Sequence, residues 1–208
     1  MRSLRLTVCV VVLLVLGCGG GGGGGGPTPV TVDLLSSPTQ QLSVTAGPPF
    51  GSNLHCGDLD GTAIPGPFRA LLTFDLSTLP AGVTVTGAVL KLRQATVDGA
   101  PYTDLGNIVV DHVDYGAGLP TQAHYTGGTL ANDIGTLSTS DALVLKALDV
   151  TARVVDDLAN TRTRSQFRVR FSPLDTDGDV NLDQANFETA ADLYGTGEVP
   201  VLTVTYLP

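Results

Sequence analysis

Oxygen-bearing side chains recur at alternate positions in Asp175-Thr176-Asp177-Gly178-Asp179-Val180-Asn181-Leu182-Asp183. Asp175, Asp177, Asp179, Asn181 and Asp183 could surround calcium, which accepts about six to eight oxygen ligands in flexible geometry, while Gly178 turns the chain. The run is not an EF-hand. Its glycine stands fourth instead of sixth, and Asn186 at the twelfth place cannot supply the bidentate carboxylate. The alternative is a polar β-loop with solvated acids. Asp58-Leu59-Asp60-Gly61 is a shorter copy.

Two further constellations could bind a ligand. In Gln166-Phe167-Arg168-Val169-Arg170-Phe171, strand alternation sends Phe167, Val169 and Phe171 inward and Arg168 and Arg170 outward. Lys91 and Arg93 alternate in the same way with Leu90 and Leu92. If both strands lie in one sheet, the four cations form a patch suited to an acidic polysaccharide, since arginine forks match carboxylates. Otherwise each pairs with a neighbouring Asp. Tyr102, Tyr115, Tyr125 and Tyr194 fall in expected loops. Tyr115 and Tyr125 are the preferred sugar platform, because an aromatic face offers apolar surface to ring C–H groups; alternatively they cap the core.

Catalytic signals are sparse. His55, His112 and His124 are the histidines, and neither a Gly-x-Ser-x-Gly elbow nor a His-Glu-x-x-His helix occurs. His55 beside Cys56 lacks the further ligands a zinc site needs. A strand through Asp111-His112-Val113-Asp114 puts His112 on the face of Val110 and Asp114, which reads as a surface pair. No enzymatic activity is expected.

The elements positioning these residues are short, β-branched and separated by Gly, Pro, Asp and Asn. Strands are expected over Thr31 to Ser36, Gln41 to Ala46, Ala70 to Phe74, Thr84 to Val97, Asn107 to Tyr115, Leu143 to Val150, Gln166 to Ser172 and Val199 to Tyr206. One helix is expected over Thr151 to Leu158, where Val150, Val154 and Leu158 recur at spacing four before Asn160. The fold class is all-β, a two-sheet antiparallel sandwich of jelly-roll type with one short helix.

Arg2 and Arg5 precede an apolar run from Leu6 to Leu16 that is too short to span a bilayer, so residues 1–17 read as a signal peptide. Val15-Leu16-Gly17-Cys18 resembles the bacterial lipobox, which implies cleavage before Cys18 and its lipidation. Eight glycines, Gly19 to Gly26, complete a tether over 18–29 with a reach of roughly 20 Å. One domain, 30–208, remains. Losing Arg2 and Arg5 leaves nine basic residues against 20 acidic ones, taking the net charge from −9 to −11 and disfavouring nucleic acid as a partner. Cys9 and Cys18 belong to the leader and anchor, so Cys56 has no disulfide partner and reads as a buried small apolar group.

The stretch from Arg69 to Arg93 is organised as two core strands joined through Pro80-Ala81-Gly82. Phe74-Asp75-Leu76-Ser77 with Leu79-Pro80, Phe50-Gly51-Ser52-Asn53, Leu148-Asp149-Val150-Thr151 with Val154, and Pro200 to Tyr206 occur in the order of the signature blocks of the DNRLRE domain. The chain resembles that β-sandwich family, which is related to disaggregatase and to carbohydrate-binding modules of polysaccharide lyases. Its tryptophans are missing: Asp157 stands at one place and Tyr115 and Tyr125 near the others, and Phe187-Glu188-Thr189 only echoes the block before the last strand. The resemblance implies a lipid-anchored module of the cell envelope, with the outer membrane as its expected home and polysaccharide as its partner. The alternative is a structural or adhesive envelope protein that binds another protein.

Overall fold

The computed structural model describes residues 26–45, 53–58, 67–179 and 181–208. The leader, Cys18, most of the glycine tether, the Phe50-Gly51-Ser52 block and the Leu59-Asp60-Gly61 part of the shorter Asp motif lie outside the described residues. In chain order the elements are β1 (Val30–Leu35), β2 (Leu42–Val44), β3 (Leu54–Asp58), β4 (Arg69–Asp75), β5 (Thr84–Asp98), α1 (Pro101–Asp104), β6 (Gly106–Val113), a 3-10 turn (Gln122–Tyr125), β7 (Thr129–Ser138), β8 (Leu145–Asp149), α2 (Thr151–Ala159), β9 (Arg164–Pro173), β10 (Asp183–Phe187) and β11 (Val201–Leu207).

They build an all-β sandwich of two antiparallel sheets. One runs β1-β11-β5-β10-β3 with β8 also on β5; the other runs β2-β4-β9-β6-β7. The Arg69–Arg93 stretch therefore crosses between the sheets, with β4 in one and β5 in the other. Alternation decides what is buried. Ala88, Leu90 and Leu92 of β5, Leu202 and Val204 of β11, and Phe167, Val169 and Phe171 of β9 meet in one core. Each such Leu, Val or Phe contributes about 1.5–3 kcal/mol on burial. Cys56 is buried in the same cluster, and burial raises its thiol pKa, as suits an inert apolar filler.

The expected helix is α2, anchored through Val154 and closed by Asn160. The single turn α1 is a second helix that the pattern does not announce; Pro101 starts it and is its buried residue. Three strands also depart from expectation: β3, β7 and β10. Leu54-His55-Cys56-Gly57-Asp58 and Asp183-Gln184-Ala185-Asn186-Phe187 carry Gly, Asp and Asn, which disfavour strands locally. β3 extends because β10 pairs it residue for residue, from Asp58 opposite Asp183 to Leu54 opposite Phe187. Tertiary pairing overrides propensity there.

Candidate functional site

The four expected cations do not share a sheet. Lys91 and Arg93 lie on β5 and Arg168 and Arg170 on β9, in opposite sheets of the sandwich. Arg93 pairs with Glu198 at 2.9 Å. Arg168 and Arg170 do point away from the phenylalanines, as alternation requires, but the segment between β6 and β7 folds over that face. Arg168 is 1 % exposed. Its Nε donates to Asp111 Oδ2 at 2.9 Å, and its other nitrogens donate to His124 O, Gly127 O and Thr129 Oγ1. Arg170 donates to both oxygens of the same carboxylate. Burial pushes the Asp111 carboxyl up, yet the two guanidiniums and the Asp133 N–H hold it below its usual range.

The covering segment also claims the tyrosines. Tyr115 is buried against Val44, Leu71 and Val113 in a second small core. Its hydroxyl lies 2.6 Å from Thr73 Oγ1 and donates to Gln40 O, so it reaches no solvent-facing platform. Tyr125, half-buried, lies under the Arg69 guanidinium with 4.1 Å from Arg69 Cζ to the ring centroid, and donates to Asp175 Oδ2. Arg69 forms an ion pair with that carboxylate too. Asp175 is thereby engaged by Arg69 and Tyr125. Asp179 accepts from Asn181, whereas Asp183, 1 % exposed, accepts from the backbone N–H of Ala100.

His112 is not half of a surface pair. It is fully buried, with Nε2 2.9 Å from Asp157 Oδ1 on α2, and Arg162 also reaches that oxygen. Asp157 thus fills a core-side position of α2 with a carboxylate that ties α2 to β6.

A groove of about 360 Å³ opens instead on the outer face of β5, β10 and β3, lined by Asn53, His55, Thr96, Asp98, Gln184, Asn186 and Tyr194. Register builds it. On β10, Asp183, Ala185 and Phe187 turn to one face and Gln184 and Asn186 to the other. His55 and Thr96 flank Asn186, and Asp98 sits opposite Gln184. Asp98 Oδ2 accepts from both Gln184 Nε2 and Asn186 Nδ2 at 3.0 Å, which fixes the two amides and leaves their oxygens as acceptors. Burial lowers the His55 imidazole to about 4, so it is neutral at physiological pH. The groove-lining set contains a carboxylate, amides, a hydroxyl and an imidazole, and neither lysine nor arginine.

Compared with known proteins, the chain matches no family model and no curated relative.

Tyr194, 37 % exposed, stands at the groove's rim on the loop after β10. Glu188, fully buried, holds that loop: it accepts from the backbone N–H groups of Thr189, Tyr194 and Thr196 and from the Thr196 hydroxyl. Burial raises the Glu188 carboxyl, but these donors outweigh it and the net shift is downward. The contribution is present above the unfolded pKa of about 4.3 and is lost as pH falls through the lower folded value. In Glu188→Gln the amides of Tyr194 and Thr196 should lose protection at neutral pH, by about 1.5–3 kcal/mol for bonds to a charged acceptor. Hydrogen exchange measures this; equal protection in both proteins would refute the assignment.

Proposed function

We propose that the chain is a carbohydrate-binding module that holds a neutral polysaccharide in the β5–β10–β3 groove and is tethered to the cell envelope through a lipid on Cys18. The observation that carries this reading is the cross-strand arrangement of Asn186, Gln184 and Asp98 beside a rim tyrosine. Sugar hydroxyls both donate and accept, and fixed amide and carboxylate groups meet them with little loss of side-chain freedom on binding. The Tyr194 ring offers the apolar face for sugar C–H groups. Four cations in one sheet would favour an acidic glycan. With those cations divided and Asp98 in the groove, a neutral chain suits the charge better. The resemblance to DNRLRE domains supports the same class of ligand.

A glycan array with the full chain should show binding to neutral polysaccharides. Tyr194→Ala should weaken it roughly tenfold, the equivalent of about 1.4 kcal/mol, and Tyr194→Ala/Asp98→Ala should weaken it further. Unchanged binding by the double variant, or no glycan bound by the wild type, would overturn the reading. The adhesive alternative draws on Leu143, Val144 and Leu145, which are 48 %, 48 % and 41 % exposed leading into β8. Protein capture that survives loss of the groove but not Leu143→Asp/Leu145→Asp would favour it.

A further inference from the structure

We propose that Asp58, Asp104, Asp177 and Asp183 form a calcium site at one end of the sandwich, with ligands drawn from β3, α1, β10 and the loop before β10. One carboxylate oxygen from each of Asp104, Asp177 and Asp183 lies within 4.8 Å of the others. Two oxygens bound to one calcium at about 2.4 Å are at most about 4.8 Å apart, so these three meet the spacing that a common ion requires. The independent observation is Asp58. It is 5 % exposed, and its Oδ1 has no hydrogen-bond partner among the described residues. It stands directly opposite Asp183 in the β3–β10 register, which places both side chains on one face.

Two buried like charges facing each other are destabilising unless something between them is positive. Among the described residues none of the four forms an ion pair with lysine or arginine; the ion pairs fall on Asp111, Asp114, Asp156, Asp157, Asp175 and Glu198. Burial pushes the Asp58 carboxyl up, hydrogen bonding to Thr176 and the Asp177 N–H offsets part of this, and the charges of Asp177 and Asp183 add to it. Desolvation followed by the fields of Asp183, Asp177 and Asp179 raises Asp104 as well. A hard divalent cation satisfies the orphan oxygen and cancels this repulsion. The ligand set differs from the alternating run: Asp175 is held by Arg69, and Asp179 with Asn181 bonds within its own turn. The site lies on the core-facing side of β10, opposite the groove, and stands without the glycan reading.

The test is thermal melting of the full chain in calcium and in chelator, with calorimetric titration of calcium alone. At a hundredfold excess over Kd the midpoint should rise by roughly 5 °C. Asp58→Asn should lose that rise and, with one repelling charge removed, melt higher than wild type in chelator. Asp104→Asn, at the end of α1, should also lose it and serves if Asp58→Asn does not fold. Asp179→Asn should keep it. No calcium response in the wild type, or a response removed by Asp179→Asn but kept by Asp58→Asn and Asp104→Asn, would overturn the site.

Discussion

Replacing Asp111 with alanine is expected to cost about 3–5 kcal/mol of stability, because it leaves the Arg168 guanidinium buried without its counter-charge. Arg168 is 1 % exposed, and the carboxylate it loses also anchors Arg170 and the Asp133 N–H. The remaining partners of Arg168, His124 O, Gly127 O and Thr129 Oγ1, are neutral and satisfy its donors without neutralising it. For a domain of this size the melting midpoint should fall by roughly 10 °C. Removing both ends, as in Asp111→Leu/Arg168→Met, should recover part of the loss, since the fully buried guanidinium is gone while the more exposed Arg170 still lacks its carboxylate. The cycle also has a pH signature. The Asp111 carboxyl is held below its ordinary range in the fold, so its contribution is complete above the unfolded pKa of about 3.9 and disappears as pH falls through the folded value. The difference between wild type and Asp111→Ala should therefore shrink on acidification. A cost under about 1 kcal/mol, or one independent of pH down to the acid transition, would show that the cluster is solvated.

The same residues show what a sequence can and cannot say. Alternation in Gln166 to Phe171 correctly separates Phe167, Val169 and Phe171 from Arg168 and Arg170, because strand period is local. Whether the arginine face meets water depends on the segment carrying His124, Gly127 and Thr129, and no periodicity encodes that cover. β5 and β11 are legible because apolar residues alternate cleanly along them. β3 and β10 are not: their outward residues, His55, Gln184 and Asn186, are the polar groups that make the groove, and they mask the strand signal. The Asp175–Asp183 run is visible as a cluster of oxygens, but Asp58 comes to stand opposite Asp183 only through the β3–β10 register, and Asp104 comes near Asp177 and Asp183 only through the turn of α1. A chemical hint was present in Glu188, one of two glutamates in a chain where 18 acidic residues are Asp, and the structure gives it the loop that carries Tyr194.

Gly57→Ala should damage the groove and the acidic cluster together, at a cost of about 2–4 kcal/mol. Gly57 lies between His55 and Asp58 on β3 with φ of +121°, a conformation that side chains rarely adopt. A Cβ there would fall on the backbone carbonyl oxygen of Asp183, so the obstruction is main chain and cannot rotate aside. Backbone strain of about 1–3 kcal/mol and steric displacement of similar size both apply. The displaced strand is β10 at its pairing with Gly57, where Gln184 faces Asp98 and Asp183 faces Asp58. Shifting it separates both pairs at once, although Gly57 itself touches neither ligand. The expected pattern in Gly57→Ala is therefore weaker glycan binding and a smaller calcium-induced rise in melting midpoint. Asp111→Ala, in the opposite sheet, should lower stability while leaving both binding properties intact in the protein that remains folded. Denaturant unfolding of the two variants beside the wild type, followed by glycan and calcium titration below the unfolding transition, separates these effects. A Gly57→Ala protein that melts within about 1 °C of wild type and binds both ligands normally would show that β3 and β10 accommodate the methyl, and that their close approach does not set the site.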